Sequence, residues 1–267
     1  MRIDLDLTSP LGPREQAELY RLFNEHGLLV FRGQKLGLSQ QIRALSYLRR
    51  GRYLERDVEV VSNVGTAGFV GSTPLDFHSD LAFLPEPVGV ISLLAVDVVD
   101  GETTTKFSSA KATYARLPEA LRERIDGLHT LHVMPKEVYA RNRIRNLPPH
   151  YPRTSRLLVH HHPVTGEPVL YVSWVMIDGI VELGESESDA LLEELHGYVS
   201  DPEHVYEHHW HNGDLVIWDN IMLLHARDDM SRAGRRVLQR ATAGANHFSD
   251  IYPEFPSYAV QYDYGKS

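Results

Sequence analysis

Residues 204–226 read HVYEHHWHNGDLVIWDNIMLLHA, and the order of apolar and turn residues in them decides the fold. His204 to Trp210, Leu215 to Trp218 and Ile221 to Ala226 are short β-prone runs, separated by the turn pairs Asn212-Gly213 and Asp219-Asn220. A further run, Arg236 to Ala243, follows. Short strands at this spacing predict a sandwich or barrel, mainly β, with helices packed outside.

Working outward, Val88 to Val99 is a long apolar run with β-branched bias and reads as a central strand, while Asp57 to Ser62 alternates as a half-buried one. Leu128 to Met134 is strand-like. Leu157 to His160 and Pro168 to Val172 form a hairpin about Thr165-Gly166. Pro13 to His26 predicts a helix with Leu19, Leu22 and Phe23 on one face and Gly27 as its stop. Ser39 is expected to cap a second helix through Ile42, Leu45 and Leu48, and Ser109 a third carrying Tyr114 and Leu117. Ser186 with Asp189 has the form of a capping box, opening a helix through Leu191, Leu192, Leu195 and Tyr198. No repeat, low-complexity tract or linker divides the chain, so residues 1–267 are expected to be a single domain.

Composition narrows the chemistry. A chain of 267 residues can bury an extensive core, and 42% hydrophobic with 24% charged residues is ordinary for a globular protein. Zero cysteines excludes disulfides, thiolate metal sites and cysteine nucleophiles, so any metal must be held by His, Asp or Glu. A net charge of -9 argues against nucleic acid as a partner. No apolar run reaches membrane-spanning length and the start has no apolar signal core, which predicts a cytoplasmic location without membrane association. A small-molecule substrate is the expected partner, and a homo-oligomer is compatible with the sequence. Most of the 15 histidines, including His160-His161-His162 and the group His208, His209 and His211, read as hydrogen-bonded or solvated strand residues, because neighbours on a strand face opposite ways.

His78-Ser79-Asp80 is different. On a strand, residues two apart share a face, so His78 and Asp80 can converge on one point, and His225 from another strand can complete a three-ligand cap. Two imidazoles and one carboxylate make the facial triad of non-haem Fe(II) oxygenases, which leaves positions open for substrate and O2. Past His225, Arg236 and Arg240 would share a face of the last strand, with Leu238 between them. Burying two guanidiniums is costly unless anions meet them, and Arg matches a carboxylate with two parallel hydrogen bonds. A dicarboxylate that chelates the metal at one end and is clamped by Arg at the other satisfies both demands. The stretch 135–156 carries Lys136, Arg141, Arg143, Arg145, Arg153 and Arg156 against one acid, Glu137, in an acidic protein. It reads either as a surface excursion or as a basic lid that attracts an anion.

His78-Ser79-Asp80, the run Gly213 to Asn220 leading to His225, and Arg235-Arg236 with Arg240 resemble the 2-oxoglutarate- and Fe(II)-dependent dioxygenases related to taurine dioxygenase and the chlorophenoxyacetate dioxygenase. The resemblance extends from His26 to about Ala243 and implies a double-stranded β-helix (jelly-roll) core. It implies His78, Asp80 and His225 as iron ligands and Arg236 on the distal carboxylate of 2-oxoglutarate. Thr103, with Thr104 and Thr105 as its neighbours, falls where a family threonine contacts that carboxylate, and Arg240 where carboxylate- and sulfonate-using members hold the substrate's anion. The residues ahead of His78, Pro74-Leu75-Asp76, lack the asparagine that helps bind taurine. The implied reaction consumes 2-oxoglutarate and O2, releases succinate and CO2, and hydroxylates or otherwise oxidises a C–H bond. The carboxylate of Asp80 favours this over halogenation, because related halogenases lack it. Asn63, Tyr171 and Trp174 are further candidates for the substrate pocket. A non-catalytic jelly-roll module that binds a metal or small acid is the alternative, and cofactor consumption separates the two.

Overall fold

The turn pairs of residues 204–226 close off strands as their chemistry requires. Gly213 has a φ of +79°, and a Cβ there would lie 3.0 Å from the Gln34 carbonyl oxygen, so only glycine fits. Asp219 Oδ1 accepts the N–H groups of Ile221 and Met222 at 2.9 and 3.0 Å, an Asx turn that reverses the chain.

A computed structural model describes residues 1–49, 59–64, 72–135, 149–243 and 248–255. Its first strands are β1 (Arg2–Ile3), β2 (Leu28–Phe31), β3 (Glu59–Ser62), β4 (Leu75–His78) and β5 (Val90–Val98). There follow β6 (Thr104–Ser109), β7 (His129–Val133), β8 (Arg153–Leu157), β9 (Val159–His161), β10 (Pro168–Leu170) and β11 (Ile177–Ile180). The last are β12 (Val205–His209), β13 (Leu215–Asp219), β14 (Leu223–Arg227) and β15 (Arg236–Ala243). The helices are α1 (Pro13–His26), α2 (Leu38–Ser46), α3 (Ala110–Arg116), α4 (Glu119–Ile125), α5 (Glu185–Val199) and α6 (Phe248–Ile251).

A six-stranded sheet runs β1-β2-β13-β5-β15-β3, and a four-stranded sheet runs β12-β6-β14-β4. β13 shows why the molecule is layered. Leu215 and Ile217 on one face pack with Leu19, Phe23 and Leu45 of α1 and α2. Val216 and Trp218 on the other face pack with Phe107 and Leu223 of the smaller sheet. The outer side of that sheet, through Phe77, Leu224 and Ala226, meets Leu121 of α4 and Leu191, Leu192 and Leu195 of α5. The two sheets therefore face each other across an apolar layer, with helices outside, and the protein is mainly β.

Several local expectations change. The N-cap of α2 is Gly37, whose N–H bonds the Gln40 side chain at 2.6 Å, and that of α5 is Gly184, so neither Ser39 nor Ser186 caps. Ser109 does cap α3, accepting from the Ala112 N–H. Residues 136–148 of the expected basic lid lie outside the described residues. Its last part, Arg153 to Arg156, is strand β8 paired with β7, and Arg156 donates to the carbonyls of Leu84 and Pro85. Among the described residues no helix is long and apolar enough to cross a membrane.

Candidate metal centre

The two imidazoles meet through register. β4 pairs antiparallel with β14 so that His78 lies directly opposite His225, and the ring centroids are 4.2 Å apart. Asp80, just past the end of β4, turns back toward the same point. Its Oδ1 is 3.3 Å from His78 Nε2 and 3.4 Å from His225 Nε2. One ligand atom from each of the three residues lies within 4.8 Å of the others. His78 Nδ1 contacts the Asp76 carbonyl at 2.7 Å, so Nδ1 must donate and Nε2 presents its lone pair to the centre.

Electrostatics sets the protonation states a cation needs. Burial, then the charge of His78, pushes the His225 imidazole down to about 4, which keeps it neutral near pH 7. Burial alone would raise the Asp80 carboxyl, but the charges of Arg240 and His225 outweigh it and hold the group well below the usual carboxylate range. A neutral imidazole and an ionised carboxylate, beside a second imidazole with its lone pair inward, form a donor set that suits a divalent metal with open positions.

Arg236 fits an anion next to it. Its side chain is 2% exposed, and Nη2 donates to Thr105 Oγ1 at 3.1 Å. Nε and Nη1 are buried with no hydrogen-bond partner among the described residues. Burial, reinforced by the charge of Arg227, lowers the guanidinium to about 9. A buried cation with unsatisfied donors is stabilised by a carboxylate that takes both N–H groups. Two imidazoles, a carboxylate and this guanidinium thus match a metal chelated by one end of a dicarboxylate.

The remaining expected residues divide. The threonine bonded to Arg236 is Thr105, not Thr103. Thr105 shares the inward face of β6 with Phe107, which stacks near His225 at 6.4 Å, whereas Thr103 precedes the strand. The Thr-x-Phe alternation was the signal for it. Arg240 is at the site, but its Nη2 donates to Asp80 Oδ2 at 2.8 Å. Asn63 is half-buried and braces the backbone: its Oδ1 accepts the Arg236 N–H at 2.8 Å and its Nδ2 donates to the Gly234 carbonyl at 2.9 Å. Tyr171 is 1% exposed, with its hydroxyl 3.3 Å from Ser79 Oγ, and is core. Trp174 lines a cavity of about 590 Å³ with Leu75, Phe77 and Ala226. Those residues alternate with His78 and His225, so that cavity opens on the other face of the sheet from the ligands. Arg227, buried beside Arg236, went unnoticed in sequence because one arginine after a histidine has no distinctive pattern.

Comparison with known proteins agrees with this geometry. The family model described as "Taurine catabolism dioxygenase TauD, TfdA family" matches residues 2–242. The alpha-ketoglutarate-dependent 2,4-dichlorophenoxyacetate dioxygenase of Cupriavidus pinatubonensis (strain JMP 134) is 30% identical, over 90% of this chain and 92% of that protein. Pentalenolactone F synthase of Streptomyces avermitilis is 25% identical, over 88% and 87%. Among solved structures, a taurine dioxygenase from Burkholderia xenovorans superposes with a TM-score of 0.74 at 26% identity, covering 91% of this chain and 84% of that one. AAD-2 in complex with Mn(II) and N-oxalylglycine gives a TM-score of 0.75 at 28% identity, covering 92% and 93%. The chain therefore belongs to the TauD, TfdA family and is a dioxygenase that uses Fe(II), 2-oxoglutarate and O2.

Proposed function

We propose that His78, Asp80 and His225 hold the Fe(II), that Arg236 with Thr105 binds the distal carboxylate of 2-oxoglutarate, and that the enzyme oxidises an unactivated C–H bond of a small anionic or amino-acid-like molecule. The observation that carries this reading is the convergence of the three ligand atoms beside a buried guanidinium whose donors are unmet. Two relatives act, by name, on 2,4-dichlorophenoxyacetate and (S)-phenoxypropionate, which supports a small carboxylate as substrate class. The strand orders, β3-β15-β5-β13 within one sheet and β4-β14-β6-β12 in the other, support reading the chain as one domain with a double-stranded β-helix core.

When bound, Fe(II) couples the oxidative decarboxylation of 2-oxoglutarate to oxidation of the substrate: one oxygen atom of O2 enters succinate and the other the hydroxylated product, with CO2 released. The chain's own residues prepare that chemistry. The Asp76 carbonyl holds the His78 tautomer, and burial keeps His225 unprotonated. Arg236 fixes the 2-oxo acid in one orientation, because a guanidinium fork accepts a carboxylate in one plane. Arg240 holds the outer oxygen of Asp80, so Oδ1 faces the imidazoles. Phe107 and Trp218, with rings 6.4 and 4.9 Å from His225, exclude water from one side of the centre.

The test is anaerobic addition of Fe(II) and 2-oxoglutarate to the purified protein, following the visible charge-transfer band of the chelate. The band is expected in the wild type, lost in His78→Ala and weakened in Arg236→Ala. Iron binding without a band would overturn the assignment of the site.

A further inference from the structure

The two residues that carry the centre's carboxylate have no strand to belong to. β4 ends at His78, yet Ser79 is fully buried and Asp80 largely so. Buried backbone groups need partners, and here side chains supply them. Ser173 Oγ accepts the Ser79 N–H and donates to the Ser79 carbonyl, both at 3.1 Å. Asn220 does the same for the ligand itself. Its Oδ1 accepts the Asp80 N–H at 2.9 Å, and its Nδ2 donates to the Asp80 and Val88 carbonyls at 3.0 Å each. Only one orientation of the amide satisfies an N–H and two carbonyls together, so the contact fixes direction as well as distance. The main-chain carbonyl of Asn220 also accepts from Ser79 Oγ at 2.5 Å.

Two further features give this contact a purpose beyond stability. Leu81, which follows Asp80, has a φ of +54° and is the one non-glycine residue with positive φ among the described residues. Such a conformation in a residue with a Cβ persists only where its surroundings impose it. Asn220 grips the peptide on the Asp80 side of that bend. Asn220 also sits in the turn between β13 and β14, the strand that carries His225. One side chain therefore joins the backbone of the carboxylate to the segment that delivers the second imidazole.

We propose that Asn220 is a positioning residue of the metal centre, fixing the Asp80 carboxylate relative to His225. This rests on reading His78, Asp80 and His225 as the ligands. The protein contains its own control: Asn212 bonds both backbone groups of Val98, at 3.0 and 2.8 Å, where β5 ends away from the ligands.

The experiment titrates the apoprotein with Co(II) as a spectroscopic stand-in for Fe(II), recording affinity by calorimetry and ligand-field absorption, with apoprotein unfolding measured alongside. Asn220→Ala is expected to weaken Co(II) about 10- to 100-fold and to alter the absorption band, the usual size of effect for a residue that orients a ligand. Asn212→Ala is expected to leave both unchanged, even where it lowers stability. If Asn220→Ala does not fold, Asn220→Asp keeps the shape and the acceptor for Asp80 while losing both donated bonds, and the same weakening is expected. A folded Asn220 variant with wild-type affinity and spectrum, in a protein where His78→Ala abolishes Co(II) binding, overturns the proposal alone. Co(II) bound as tightly by His78→Ala as by the wild type overturns the ligand assignment and the proposal with it.

Discussion

The ligand cluster and the more deeply buried ion-pair cluster around Asp219 are built from the same residue types, yet only one presents lone pairs to a common point. Asp219 Oδ2 lies 2.9 Å from Arg49 Nη2 and 3.0 Å from His162 Nε2, while Oδ1 takes two backbone N–H groups, so its acceptor capacity is occupied. His162 Nδ1 accepts the Thr165 N–H at 3.2 Å, which leaves the proton on Nε2, pointing at the carboxylate. His78 is the reverse, with Nδ1 donating to a carbonyl and Nε2 bare toward Asp80. The tautomer set by one backbone group decides whether an imidazole beside an aspartate makes a structural hydrogen bond or a metal ligand. The cluster of His208, Asp214 and Arg32 at the other end of β13 follows the structural pattern, with Asp214 Oδ2 also accepting the His211 N–H at 2.9 Å.

Mutations at the two clusters should part company. His78→Ala is expected to abolish metal binding and turnover. His162→Ala should leave metal affinity unchanged while costing about 1.5–3 kcal/mol of stability, because it removes one hydrogen bond from a buried aspartate that keeps Arg49 and two backbone N–H groups. Calorimetric metal titration and urea unfolding on both variants check this, and loss of metal by His162→Ala would erase the distinction. Next in size, Arg236→Lys keeps the charge but not the fork. It should raise the KM for 2-oxoglutarate about 10- to 100-fold, the scale of lost charge-assisted hydrogen bonds, with metal affinity retained.

The buried imidazoles also predict the pH dependence of the apoprotein. Burial, with the nearby charge of Arg156, lowers His132 to about 3, and His225 lies at about 4. In the unfolded chain both take a proton near pH 6.5. The unfolded state therefore binds more protons below that value, and stability is fully present above about pH 6.5 and falls as the pH drops toward the folded-state values. Each group steepens the fall by at most about 1.4 kcal/mol per pH unit. Urea midpoints of wild type and His132→Phe between pH 7 and 4 test it: the variant should show the shallower fall, and equal slopes would contradict it. The smallest effect belongs to Asp201, Glu203 and His204, an exposed group with ligand-like spacing. There Asp201 caps the Glu203 N–H and pairs with His204 at 2.9 Å, so His204→Ala should leave metal affinity and the urea midpoint unaltered.

Local chemistry was legible wherever neighbours in sequence decide it. α1 has the predicted bounds and its Gly27 stop at a φ of +68°, β5 and β15 fall within the runs read as strands, and β13 exceeds its run by one residue, Asp219. The face shared by Arg236 and Arg240 follows from the two-residue period alone, and the burial pattern of β15 repeats it. The starts of α2 and α5 were less legible, because their caps are Gly37, held by Gln40 reaching back, and Gly184, which a search for a hydroxyl cap overlooks.

By itself the sequence determined which residues of a strand share a face, and hence that Arg236 could act with Arg240. The same rule predicts that Asp80 shares a strand face with His78, but Asp80 lies past the end of β4 and meets His78 through the bend there. Tertiary structure decided which face meets which. It set the His225 to His78 register, bonded Thr105 rather than Thr103 to Arg236, used Asn63 to hold the Arg236 backbone, turned Trp174 to the far side of the sheet and joined Asn220 to Asp80. The physical reason is range. Periodicity is fixed by backbone geometry over a few residues, whereas each of these contacts satisfies a buried polar group with a partner remote in the chain, and only the packed sheets select that partner.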